Sequence, residues 1–134
     1  MCRHVASLGK RGGVYNVPRV HRDFSSGRVL ALDYIDGKAV NDPAVARLSL
    51  ARRNHLAKAM LELFFYELYD WGCLQTDPNF GNYLLRLDDR RKRAAADELV
   101  LLDFGSTLHC ESDFLIHLGN AIAAGQAQDR DLLL

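Results

Sequence analysis

The feature that most constrains the fold is a long helical pattern in the middle of the chain. Between residues 43 and 69, apolar side chains recur at three- and four-residue intervals, as they do on one face of an amphipathic helix. Asn41 and Asp42 precede Pro43 in the way that an N-cap precedes a first-turn proline. We expect a break near Ser49 and an end at Gly72. The pattern therefore predicts one main core helix.

Shorter β-segments are predicted before this helix. Residues 14–20 are rich in strand-forming residues but contain Pro18, which confines them to a sheet edge or an extended segment. Residues 28–35 have the composition of a strand, and the Ser25-Ser26-Gly27 turn precedes them. Together these segments predict a hairpin.

A second hairpin and a further helix are predicted after it. We expect a loop over residues 75–82, strands over 83–87 and 98–102, and a charged connector over 88–97 that forms a solvated tip. The final helix has Ser112 as its possible N-cap and Gly125 as its possible end.

Composition excludes several classes of function. The 134 residues suit one domain, and 17 Lys and Arg against 17 Asp and Glu give no overall charge that would favour a polyanion. The basic run at 90–93 contains no aromatic residue for base stacking. We therefore expect no nucleic-acid partner.

Cysteine usage and hydropathy also limit the possibilities. The 3 cysteines show no C-x-x-C spacing, so neither a disulfide framework nor a zinc site is predicted, and a reducing compartment is expected. The longest mostly apolar stretch, residues 56–69, is interrupted by charged side chains and is too short to span a bilayer. No transmembrane segment is predicted.

Three polar residues stand at the open end of the second hairpin. Asp77 and Asn82 lie in the loop before its first strand, and Asp103 follows its second strand. In the register that we expect, Asn82 lies directly opposite Asp103, where a carboxylate and an amide oxygen can share Mg²⁺. Asp77 returns to the same point and is placed to accept a proton from an attacking hydroxyl.

The joint order of these residues predicts phosphoryl transfer. Taken alone, Asp103 is also explained as a turn-capping carboxylate beside Gly105. An Asp-x-x-x-x-Asn loop, a hairpin and then Asp-Phe-Gly is the arrangement of protein-kinase-like enzymes, with a base and two metal-binding residues.

Four segments resemble the ABC1/UbiB/ADCK/COQ8 atypical kinases, which are associated with ubiquinone (coenzyme Q) biosynthesis. The resemblance covers roughly residues 14–133, and its segments are Val17-Pro18-Arg19-Val20, residues 28–37, residues 75–82 and residues 101–107. The Gln-Thr-Asp-Pro-Asn sequence is specific, because common protein kinases have His-Arg-Asp and small-molecule kinases have His-Gly-Asp. Gln75-Thr76 therefore argues against an aminoglycoside- or choline-kinase-like enzyme.

The resemblance implies an α+β fold of the protein-kinase-like C-lobe type, mainly helical with short β-hairpins and with the N-lobe largely absent. Residues 1–134 would then form a partial ABC1 atypical kinase-like domain. By this resemblance, Asp77 corresponds to the catalytic aspartate, and Asn82 and Asp103 correspond to the metal ligands. The implied hinge that meets the adenine is Tyr34, Ile35, Asp36 and Gly37. The supporting motif residues are Gln75, Pro78, Gly81, Phe104 and Gly105.

The chain also departs from the family pattern. Asp33 stands where the family usually has Glu, and no lysine has the context of the phosphate-pairing lysine. The family's Lys-x-Gly-Gln signature and nucleotide loop are missing. The resemblance implies that the chain is the part of an atypical kinase or ATPase that binds ATP or ADP and Mg²⁺. The catalytic activity of this chain alone is expected to be weak or absent.

A second function stays open at this point. It is a non-catalytic interaction or lipid-associated module that retains the C-lobe shape. The partners implied by the resemblance are the nucleotide and ubiquinone-biosynthesis proteins or lipid. The implied location is the cytoplasm or the inner face of a bacterial membrane, or the mitochondrion in a eukaryote.

Overall fold

A computed structural model describes residues 14–77, 79–88 and 96–128. Helices and strands are mixed along the chain, which confirms the α+β class. The helices are α1 (Pro43–Ala46), α2 (Leu50–Phe65) and α3 (Ser112–Ala127). The strands are β1 (Tyr15–Asn16), β2 (Lys38–Ala39), β3 (Cys73–Gln75), β4 (Tyr83–Arg86), β5 (Glu98–Leu101) and β6 (Thr107–His109).

The central helical region begins and breaks where the sequence predicts. Asp42 caps α1 by accepting a hydrogen bond from the Ala44 amide at 2.7 Å, and Ser49 caps α2 by accepting from the Arg52 amide at 3.4 Å. The helix continues beyond Phe65 as a π-turn, Tyr66–Asp70. Gly72 then takes a left-handed φ of +56°, which glycine adopts at little cost, and the chain turns into β3.

Four strands form the main sheet in the order β1-β5-β4-β2. The outer strand β1 runs parallel to β5, and the other two pairs are antiparallel. The predicted edge position of the Pro18-containing segment is thereby confirmed. A separate two-stranded sheet pairs β3 with β6 in the antiparallel direction.

The core lies between α2 and one face of the main sheet. Its fully or nearly buried members are Tyr15, Leu56, Ala59, Leu63, Leu85, Leu99 and Leu101. The Tyr15 hydroxyl donates to the carbonyl oxygen of Ala59 at 2.9 Å, so even the phenol is satisfied inside the core. Each buried leucine contributes about 1.5–3 kcal/mol relative to an exposed one, and this packing holds the β4–β5 hairpin against α2.

Asp97 corrects the prediction of a wholly solvated connector. Its side chain is fully buried, and its carboxylate accepts hydrogen bonds from the guanidinium of the buried Arg52 at 2.7 and 2.5 Å. The same carboxylate accepts from the Asp88 amide at 3.0 Å, so it closes the base of the β4–β5 connection. Residues 89–95 of the predicted tip lie outside the described residues.

The predicted strand over residues 28–35 is wrong as a regular strand. Isolated antiparallel bridges join Val20 to Leu32 and Ser26 to Val29. The chain therefore turns back on itself as in a hairpin, but these residues do not form continuous paired strands. The reason is the lack of packing, since Leu30 is 66% exposed and Tyr34 is 90% exposed.

Two other boundaries differ from the prediction. The expected loop over residues 75–82 begins after β3 and contains a 3₁₀ turn, Phe80–Asn82. Helix α3 starts with Glu111 rather than Ser112 as its N-cap, and it runs through Gly125 to a left-handed Gln128. None of the helices in the described ranges is both long and apolar enough to cross a bilayer.

Candidate functional site

The pairing of β3 with β6 brings the two predicted catalytic segments together. Gln75 lies opposite Thr107, so the residues that follow β3 meet the residues that precede β6. The Thr76 amide donates to the carbonyl oxygen of Ser106 at 3.0 Å. The segment that carries Asp77 and the segment that carries Asp103 therefore lie side by side.

Asp77 and Asn82 are linked directly. The Asn82 amide nitrogen donates to the carbonyl oxygen of Asp77 at 3.1 Å and approaches its carboxylate at 3.4 Å. Between them, the Asn79 side chain accepts from the Gly81 amide at 2.8 Å and shapes the 3₁₀ turn. Because the nitrogen of Asn82 is engaged, its amide oxygen is the atom left to coordinate a cation. Pro78 lies outside the described residues.

Asp103 caps its own turn. One carboxylate oxygen accepts a hydrogen bond from the Gly105 amide at 2.7 Å, and a β-carbon at Gly105 would approach that oxygen at 3.1 Å. Phe104 packs against the hydrophobic core, so the turn is anchored while the exposed Asp103 keeps its second oxygen for a ligand. The turn-capping and metal-binding interpretations of Asp103 are thus compatible.

The predicted register of the hairpin is wrong by one residue. Tyr83 lies opposite Leu101, and the Leu102 amide donates to the carbonyl oxygen of Asn82 at 3.0 Å. Asn82 therefore faces Leu102, and Asp103 lies one residue beyond the pair. Asp103 therefore belongs to the turn that follows the strand and not to a cross-strand pair with Asn82.

The predicted hinge residues lead into the other side of β4. Lys38 and Ala39 pair with Leu85 and Leu84. A β-carbon on Gly37 would lie 2.9 Å from the β-carbon of Leu84, so the hinge approaches this strand closely enough to require glycine. Tyr34 and Asp36 are exposed, and Ile35 is half-buried.

Leu84 is a further candidate site residue that the sequence motifs do not indicate. It is only half-buried, beside Gly37, and it lies on β4 two residues beyond Asn82, roughly 7 Å along the strand. A single strand thus connects the hinge with the polar cluster. The alternation of Leu84 with the buried Leu85 was the available signal.

Glu67 and Tyr83 form a less exposed layer behind the cluster. Burial raises the pKa of the Glu67 carboxyl, which also accepts a hydrogen bond from the Gln75 amide at 3.1 Å. Burial raises the pKa of Tyr83 as well, and the negative charges of Glu67 and Asp77 add to that increase. These residues line a cavity of about 170 Å³ with Met60, Leu63, Phe64, Gln75 and Phe80.

The donor set suits a hard divalent cation. The Asp103 carboxylate and the Asn82 amide supply oxygen donors of the kind that Mg²⁺ binds while it keeps water or phosphate oxygens in its other positions. Within the described ranges there is no cluster of three or more His, Cys, Asp or Glu side chains that could hold a metal ion.

Comparisons with known proteins match almost the whole chain. A family model described as the ABC1 atypical kinase-like domain matches residues 3–133. The chain is 31% identical over 118 residues to the atypical kinase coq-8, mitochondrial, of Caenorhabditis elegans, covering 88% of this chain and 15% of the relative. It is 29% identical over 120 residues to the atypical kinase COQ8B, mitochondrial, of Rattus norvegicus, covering 90% and 21%.

A third relative is named a kinase without reference to an organelle. It is a probable serine/threonine-protein kinase, abkA, of Dictyostelium discoideum, 25% identical over 118 residues and covering 88% of this chain and 20% of the relative. The chain spans about a fifth of the length of the curated relatives that it matches.

Proposed function

The chain belongs to the ABC1 atypical kinase-like family, and from that premise we propose that it carries the ATP- or ADP- and Mg²⁺-binding part of a phosphoryl-transfer site. In this proposal residues 1–134 correspond to part of a protein-kinase-like domain, with the fold of its C-lobe. Activity of the protein as a kinase or an ATPase is part of the same proposal.

The observation that carries the proposal is that the loop of Asp77 and Asn82 lies beside the turn of Asp103. Asn82 contacts Asp77 directly, and the Thr76–Ser106 contact joins the segments of Asp77 and Asp103. These residue types in this order are the ones that phosphoryl-transfer enzymes use to position a hydroxyl and the phosphates. The structural proximity of residues that are 26 positions apart in the sequence supports a shared site.

In this proposal each residue of the site has a separate role in binding or proton transfer. Asp77 accepts the proton of the attacking hydroxyl, while the Asn82 amide keeps its carboxylate oriented. Asn82 and Asp103 would hold Mg²⁺, which when bound neutralises charge on the phosphate oxygens. Gly37 and Leu84 offer the close, apolar approach that suits the flat face of the base.

Turnover by this chain alone should be slow. A phosphate-pairing lysine sits on a strand and contacts a helix glutamate in this type of site. Lys58 instead pairs with Glu62 on the same helix at 3.5 Å, and Lys38 lies on the short strand β2. Lys10 and Lys92 lie outside the described residues. Positioning and electrostatics supply nearly all of the catalysis in phosphoryl transfer, so binding is the property to test first.

The test is thermal stabilisation of the chain by ADP or ATP, with and without Mg²⁺. At a hundred times the dissociation constant the ligand stabilises the fold by about 2.7 kcal/mol, a shift of about 5–10 °C for a domain of this size. Asp103→Asn should abolish the Mg²⁺-dependent part, whereas Asp113→Asn, on the exposed surface of α3, should not. The absence of any shift at millimolar nucleotide with Mg²⁺ would contradict the proposal.

Asp77→Asn separates binding from chemistry. We expect this variant to keep its Mg²⁺-dependent nucleotide affinity, because the proposed ligands Asn82 and Asp103 are intact. It should lose residual phosphoryl transfer or hydrolysis. Isothermal titration alongside a phosphate-release assay measures the two effects.

The biological role that we propose is participation in ubiquinone biosynthesis or its regulation, with proteins of that route or lipid as partners. The family membership supports this role, and the quinone content of cells lacking the gene is the measurement that bears on it. Relatives whose names place them in the mitochondrion support a mitochondrial location for a eukaryotic protein. For a bacterial protein we propose the cytoplasm or the inner face of the membrane.

A second candidate is a non-catalytic interaction or lipid-associated module. The observation that favours it is a set of exposed large apolar side chains along the irregular hairpin. They are Val20, Phe24, Val29, Leu30 and Tyr34. Nucleotide titration distinguishes the candidates, because this module requires no Mg²⁺-dependent stabilisation.

A further inference from the structure

Two adjacent residues before Asp77 tie its segment to that of Asp103. The Gln75 side-chain amide donates to the carbonyl oxygen of Asp103 at 2.9 Å. The Thr76 hydroxyl lies 2.8 Å from the Ser106 hydroxyl, in addition to the backbone hydrogen bond between the same residues. These contacts bracket the Asp-Phe-Gly turn on both sides. The proposed roles of Asp77, Asn82 and Asp103 do not account for them.

Gln75 is itself held in place by the π-turn that follows helix α2. The Glu67 carboxylate accepts a hydrogen bond from the Gln75 backbone amide at 3.1 Å. Glu67 belongs to the π-turn Tyr66–Asp70, a kind of helix irregularity that is frequent at functional sites. A chain of contacts therefore runs from the core helix to the turn that carries Asp103.

A glutamine at position 75 lowers the stability of the folded state. Its side-chain oxygen Oε1 is buried and has no hydrogen-bond partner among the residues that the structure describes. A buried unpaired acceptor destabilises the folded state, and a methionine of similar shape would avoid that penalty. The benefit of glutamine here is the single hydrogen bond that its nitrogen donates to Asp103.

We propose that Gln75, Thr76 and Ser106 form a latch that fixes Asp103 relative to the loop of Asp77 and Asn82, with Glu67 holding Gln75 in place. Gln75 and Thr76 are thus positioning residues that act through Asp103 and do not touch the nucleotide. This inference rests on the proposed function, because the latch matters only if Asn82 and Asp103 hold one Mg²⁺–nucleotide complex.

Gln75→Met tests the latch in the full chain. Losing one hydrogen bond of ordinary strength should weaken Mg²⁺-dependent ADP binding about two- to tenfold in isothermal titration. The melting temperature without ligand should not fall, because the unpaired buried oxygen is removed together with the bond. Gln126→Met, on the exposed surface of α3, is the matched control and should leave the affinity unchanged.

A second pair of variants covers the case in which Gln75→Met does not fold. Thr76→Val and Ser106→Ala each remove one exposed hydroxyl and should not unfold the chain. Each should weaken Mg²⁺-dependent ADP binding, and the double variant should be no weaker than the worse single one, because both remove the same contact.

The outcomes separate this inference from the proposed function. Weaker affinity with an undiminished melting temperature supports the latch, and an affinity equal to that of the unsubstituted chain overturns it. A parallel loss of affinity and melting temperature in Gln75→Met, with full additivity in the hydroxyl pair, also overturns it in favour of a structural role. If the unsubstituted chain binds no ADP with Mg²⁺, the proposed function fails first, and the positioning role is overturned with it.

Discussion

Replacing Asp97 by alanine should be the most destabilising single change among the ion-paired residues of the described chain. Asp97 is fully buried and Arg52 is 7% exposed, so the substitution deprives a buried guanidinium of its carboxylate. Breaking a buried pair from one side costs about 3–5 kcal/mol. The Asp88 amide also loses its acceptor, which adds about 1 kcal/mol. A small domain is stable by about 5–15 kcal/mol in total, so the loss is a large share.

Urea unfolding followed by circular dichroism measures this effect. With a denaturant slope of about 2 kcal/mol/M, a loss of about 4 kcal/mol lowers the midpoint by about 2 M. Arg86→Met is the control, because the Arg86–Glu98 pair spans the same hairpin with side chains that are 56% and 30% exposed. Exposed pairs contribute about 0–1 kcal/mol.

A double variant tests whether the unpaired buried charge causes the loss of stability. Arg52→Met with Asp97→Leu removes both charges and fills the space with apolar side chains, so it should recover most of the stability lost in Asp97→Ala. If Asp97→Ala costs no more than Arg86→Met, burial does not govern the strength of this pair and the argument is refuted.

Two further predictions concern the hinge and the irregular hairpin. Gly37→Ala places a β-carbon 2.9 Å from that of Leu84, so it should cost about 1–3 kcal/mol and weaken ADP binding in a titration, whereas Gly27→Ala, with no atom within 4 Å, should do neither. The hydrogen bond from His21 is the main cause that lowers the pKa of Asp33, so an NMR titration should find its midpoint below the ordinary value, and His21→Ala should raise it. Because the folded-state pKa is the lower one, the pair's contribution to stability is present above the ordinary pKa and is lost as the pH falls through the lowered one. An unchanged midpoint in His21→Ala would show that another group sets the pKa of Asp33.

Local signals in the sequence predicted the elements that depend on nearby residues. The cap at Asp42, the break near Ser49 and the turn at Gly72 each need only a few neighbouring residues, and the structure confirms all three. The joint Asp77, Asn82 and Asp103 pattern was likewise visible, because its members flank a short hairpin. Their roles in catalysis stay predictions.

The hairpin register needed information from the core. A connector of uncertain length leaves the pairing open, and the sequence reasoning placed Asn82 opposite Asp103. In the structure Leu85 lies opposite Leu99, which puts two core side chains on the same face of the sheet. Matching the apolar faces of the two strands would have given this register, since a slip of one residue turns every side chain to the other face.

Burial of charged side chains could not be predicted from local composition. Asp97 follows a highly charged run, and a charged run is usually solvated. Its partner Arg52 is 45 residues away, and the pair forms only when β5 packs beside α2. Glu67 was likewise visible only as an interruption of an apolar stretch, and its contact with Gln75 depends on the π-turn.

The shape of the main sheet has a consequence for solubility. Both of its outer strands, β1 and β2, are only two residues long, Pro18 follows the first closely, and Lys38 lies in the second. Sheet edges that are short or that carry proline or lysine offer little backbone for another chain to pair with. Although several large apolar side chains are exposed, we therefore expect self-association to proceed through side-chain contacts that detergent can disperse, and not through growth of the sheet into fibrils.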